Sequence, residues 1–157
     1  MPETASGLGR NGPWLQNDWL RVESRLDDAS ISPVALAGAF RPVERGLALI
    51  EPLGAPPFTF GRSDYDIRPH DGTLGAGRCL TLTSRDARRA VVLRRETVVY
   101  DAAPYAVTRV GISNEGAEPI RLAALVPFAA QGGGRGAVRL TSKPADWRVY
   151  RNGWQSW

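Results

Sequence analysis

The chain has 157 residues, 43% hydrophobic and 23% charged, with a formal net charge of +4. That is the length of one domain, with enough apolar content to bury a core. Its longest apolar run, Leu122 to Ala130, is broken by Pro127 far short of the ~20 residues of a membrane span, so a membrane is not expected as a partner.

Of the 20 basic residues only Lys143 is a lysine. The arginines spread from Arg10 to Arg151 without a nucleic-acid-binding motif, so nucleic acid is not expected as a partner either. Most of the densest group, Arg85, Arg88, Arg89, Arg94 and Arg95, is expected at solvated strand and turn positions. Twelve Pro and seventeen Gly leave few windows for a three-turn helix.

Residues 1–18 are expected as a flexible N-terminal segment. They lack the basic start and apolar middle of a secretory signal, which gives a cytoplasmic expectation. GLGRNG, Gly7 to Gly12, spells G-x-G-x-x-G. It follows no recognisable strand and leads into Gly12-Pro13 instead of a helix, so it fails as a dinucleotide signature.

A β-sandwich domain is expected over residues 19–157. WLRVESRL (Trp19 to Leu26) alternates apolar and polar residues, VALAGAFRPV (Val34 to Val43) follows a turn at Ser32-Pro33, and GLALIEPL (Gly46 to Leu53) is a short apolar run. SDYDIRPHDG holds Asp64, Asp66, His70 and Asp71, but its spacing matches no compact metal-ligand pattern. A solvated loop is the expectation there, with no metal and no cofactor. His70 is the only histidine and G-x-S-x-G is absent, so no Ser-His-Asp arrangement can be assembled. The single cysteine, Cys79, excludes an internal disulfide and is expected as a small core residue.

CLTLTSRDARRAVVLRRETVVYD reads as a strand, a turn at Ser84 to Ala87, and a strand from Ala90. YAVTRVGISNEGAEPIRLAALVPF gives a strand from Tyr105 to Ser113, a turn at Asn114 to Gly116 in which Gly116 takes positive φ, and a strand from Ile120 to Phe128. Short strands spaced by turns point to an all-β, antiparallel sandwich. QGGGRG, Gln131 to Gly136, is expected as a flexible loop. In SKPADWRVYRNGWQSW, Trp147 and Val149 alternate with Arg148 and Tyr150 as in a strand, and Asn152-Gly153 reads as a tight turn.

The closing residues carry the most chemistry. If extended, Trp154 and Trp157 point to opposite faces; if coiled, they share one. Either way an indole is offered outside the sandwich, where its ring suits a sugar's C–H face. Gln155 donates and accepts for hydroxyls. A cluster that packs against a further domain explains the same residues equally well.

RNGWQSW, Arg151 to Trp157, resembles the N-G-[WY]-Q-S-W signature of melibiase-type α-galactosidases, the retaining glycosidases of hydrolase family 36. The resemblance is specific over Val149 to Trp157 and diffuse elsewhere. It implies a galactose-mutarotase-like β-supersandwich that precedes a (β/α)8 barrel. The sandwich is then incomplete, because the sequence stops before the barrel. In that family the second Trp of the motif, here Trp157, reaches into the galactose pocket. Trp154 then serves as the anchor and Gln155 supports the loop or a hydroxyl.

The resemblance places no catalytic residue in this chain, since the family's two aspartates lie on barrel strands. It implies hydrolysis of terminal α-galactosides of the melibiose or raffinose type by the parent enzyme, and no activity in these 157 residues alone. The implied partners are the α-galactoside, the barrel of the same chain and a homo-oligomer. Two other readings stay open: a stand-alone carbohydrate-binding sandwich, and a structural or oligomerisation domain.

Overall fold

The computed structural model describes residues 3–36 and 42–131. The described chain is an all-β sandwich of two antiparallel sheets. Five strands come first: β1 (Ala5–Leu8), β2 (Pro13–Gln16), β3 (Leu20–Ser24), β4 (Ile31–Ala35) and β5 (Arg45–Pro52). The chain then crosses to a second sheet of β6 (Asp64–Gly72), β7 (Gly75–Arg85), β8 (Val91–Tyr100) and β9 (Ala106–Asn114). Finally β10 (Leu122–Gln131) returns to the first sheet and pairs with β5. The spatial orders are β1-β2-β3-β4-β5-β10 and β6-β7-β8-β9.

Alternation decides which side chains meet between the sheets. Leu15, Leu20, Val22 and Ile31 project from the larger sheet onto Leu80, Leu82 and Val99 of the smaller one. Each such fully buried aliphatic side chain contributes roughly 1.5–3 kcal/mol of transfer free energy.

Two strands lie within residues 1–18, the stretch expected as flexible. The reason is polar stitching as well as burial. The Thr4 hydroxyl and amide both donate to Asp101 Oδ1, at 2.6 and 2.7 Å. The Asn17 amide donates to the Tyr100 and Ala103 carbonyls at 2.8 and 2.7 Å, while Leu15 is 0% exposed. The glycines of GLGRNG serve the β1–β2 hairpin: a Cβ at Gly12 would meet the Ser24 carbonyl oxygen at 2.7 Å.

Three further expectations are corrected. SDYDIRPHDG is not a loop; it is β6, paired with β7 over its whole length. Cys79 is half-buried on the outer face of β7, because the in-register alternation sends Leu80 and Leu82 inward instead. Gly116 does not take positive φ; among described glycines only Gly54 and Gly75 do. The Asn114 side chain shapes that turn instead, accepting from Gly116 N at 3.1 Å and donating to Glu118 O at 2.8 Å. The strands on either side of it are no hairpin, since β9 pairs with β8 and β10 with β5. Most of the dense arginine group is at least partly exposed, as expected, but Arg95 lies in the core.

Candidate functional site

Trp154, Gln155 and Trp157 lie outside the described residues, as do Trp147 and most of QGGGRG. The candidate aspartates and histidine are described. Asp64, Asp66 and His70 fall on one face of β6 and Asp71 on the other. Asp66 is ion-paired with Arg68, and the His70 ring meets the edge of Tyr100 at 5.8 Å. Among the described residues no group of three His, Cys, Asp or Glu side chains could hold a metal ion. Burial pushes the Cys79 thiol above its ordinary range, so it is not an activated nucleophile.

The structure instead presents an apolar opening along one flank of the sandwich. The core-facing sides of β3 and β4 part from β9 there, leaving a groove of about 640 Å³. Trp19, Pro33, Val34, Tyr105, Ala106 and Phe128 line it. Trp19 is 42% exposed, Tyr105 44% and Phe128 38%, a concentration of aromatic surface that a monomer seldom leaves wet.

Arg95 stands at the inner end of this region and is 1% exposed. Its Nη1 donates to Gly46 O at 2.7 Å and Ala29 O at 3.1 Å, and its Nη2 to Pro127 O at 3.3 Å. Its guanidinium lies 5.7 Å from the Phe128 ring centroid, and its Nε is buried without a hydrogen-bond partner among the described residues. Burial brings its pKa down to about 10, so it stays charged at neutral pH. Ala29, one of its acceptors, has φ 53°, a left-handed conformation that a non-glycine residue adopts at a cost of roughly 1–2 kcal/mol. Arg95 thus ties the smaller sheet to β5, to the β10 bulge and to the strained β3–β4 turn. Local pattern could not show this, because Arg94 and Arg95 look alike in sequence and only the alternation phase separates them.

Set beside known proteins, the chain matches no family model, no curated protein and no solved structure. The fold therefore defines its class, an all-β antiparallel sandwich. No described helix is long and apolar enough to cross a membrane.

Proposed function

We propose that this sandwich is the N-terminal portion of a cytoplasmic retaining α-galactosidase acting on terminal α-galactosides, with the supersandwich topology of the galactose-mutarotase type. The observation that carries the reading is the hexapeptide Asn152 to Trp157. The antiparallel all-β architecture is the kind the motif's family requires. The apolar flank around Trp19, Tyr105 and Phe128 is the kind of surface that a further domain of the same protein covers.

In this reading Trp157 walls the sugar subsite, Trp154 anchors the segment and Gln155 supports a hydroxyl or the loop. The paired carboxylates that give retention belong to a barrel outside this sequence. Asp64, Asp66 and Asp71 are given no part: Asp71 lies on the opposite face of β6 from the other two, and Asp66 is ion-paired with Arg68. The test is to express the complete reading frame and assay an aryl α-galactoside with product stereochemistry. Hydrolysis with retention is expected, and none from the 157 residues alone. A reading frame without a barrel carrying two aspartates, or a full product inert toward α-galactosides, refutes it.

A further inference from the structure

A second concavity lies on the opposite, outward face of the larger sheet. Cross-strand register builds its floor: Trp14 pairs with Glu23 and Glu23 with Ser32, so one row of lining residues crosses β2 to β4. These positions alternate with Leu15 and Val22, which face the core. The β1–β2 turn forms one wall and Glu44 and Arg45, at the start of β5, the other. The cleft encloses about 310 Å³.

Its charge is uneven. Arg10, Arg21, Arg25 and Arg45 line it against Glu23 and Glu44 alone. The acids that engage two of these arginines sit outside the lining: Asp27 takes Arg25 at 3.0 Å, and Asp28 takes Arg45. Arg21 lies 3.3 Å from Glu23. Among the described residues Arg10 has no ion pair. A guanidinium carries five donors and no acceptor, so one carboxylate leaves several N–H groups of each arginine for another oxyanion.

Trp14 is unavailable as a sugar platform in this cleft. The Arg21 guanidinium carbon lies over its ring at 4.3 Å, and a Cβ at Gly7 would meet Cζ2 at 2.4 Å. The half-buried indole is packed between Gly7 and Arg21 and serves as a wall that holds Arg21 in place. The cleft therefore selects by charge and hydrogen bonding and offers no ring to stack on.

We propose that this cleft binds a small oxyanion-bearing molecule, a phosphate or a carboxylate of up to monosaccharide size, with Arg10 and Arg25 as its principal charged contacts. The proposal does not rest on the α-galactosidase reading. The test titrates the 157-residue chain at low salt with inorganic phosphate, galacturonate and, as the neutral control, galactose, followed by calorimetry and tryptophan fluorescence.

Saturable binding with a Kd of about 1 mM or tighter is expected for at least one of the two anions and not for galactose. Phosphate alone identifies a phosphate site, and galacturonate alone a carboxylate site. The double variant Arg10→Gln/Arg25→Gln should weaken binding at least about tenfold. Should the double variant melt early, Arg10→Gln alone serves, because no described ion pair is lost with it. Galactose binding as tightly as galacturonate, no saturation by either anion, or full affinity in the arginine variants overturns the proposal.

Discussion

Arg95 is the residue on which the two sheets most depend. A lysine there keeps the buried charge but reaches fewer of the three carbonyls and loses the planar contact with Phe128. Arg95→Lys is expected to cost about 2 kcal/mol, read as a lower urea midpoint; an unchanged midpoint would contradict the account. Asp86 is a second buried charge, 7% exposed. Burial disfavours its ionised form, yet backbone N–H groups of Thr59, Arg88 and Arg89 outweigh that and hold its pKa below the ordinary value. A lowered carboxylate pKa contributes stability above the unfolded value near 4, lost as pH falls through the folded value. The wild-type chain should therefore lose more stability than Asp86→Asn on acidification from pH 5 to about 2, measured by urea midpoints. Equal losses would show that the three amides do not stabilise the charge. Neither role was readable from composition: Asp86 looks like any turn aspartate until the distant Thr59 amide joins those of Arg88 and Arg89, and Arg95 like any solvated arginine until its carbonyl partners, far apart in sequence, are known.

At the scale of elements, alternation and turn residues made most strands legible. The strand–turn–strand reading of Cys79 to Tyr100 matches β7 and β8, and Gly46 to Leu53 matches β5 closely. The solvated loop expected over SDYDIRPHDG is instead strand β6, which is rich in charge and carries Pro69. An edge strand tolerates both: β6 pairs only with β7 among the described strands, and charges blunt such edges. The strand–turn–strand reading of Tyr105 to Phe128 matches β9 and β10, although these two strands do not pair with each other. A turn motif fixes where the chain bends, but not which neighbour the next strand finds. Here β10 finds β5, and the Val126–Ala129 irregularity brings the Pro127 carbonyl to Arg95. Gly46 permits this, since a Cβ there would meet the Phe128 ring at 2.1 Å. Gly46→Ala is expected to displace that ring and destabilise the β5–β10 pair by about 1 kcal/mol. Faster hydrogen exchange at Val126 to Ala130, with exchange in β7 and β8 unchanged, would report it; uniform exchange would refute it.

For the molecule as a whole, the open flank is the dominant feature. Two sheets close over Leu15, Val22, Leu80, Leu82 and Val99, but between β4 and β9 the aromatic residues remain wet. That surface, together with the Asn152–Trp157 motif, supports a sandwich that works beside another domain. The motif was visible in sequence because a tight turn followed by two indoles is a local pattern. The groove was not, because it is formed by residues as distant as Trp19 and Phe128. The most direct measurement is kcat/KM for an aryl α-galactoside with the complete gene product carrying Trp157→Ala. A loss of at least about tenfold is expected, the equivalent of ~1.4 kcal/mol of transition-state stabilisation. An unaltered kcat/KM in Trp157→Ala would contradict the account.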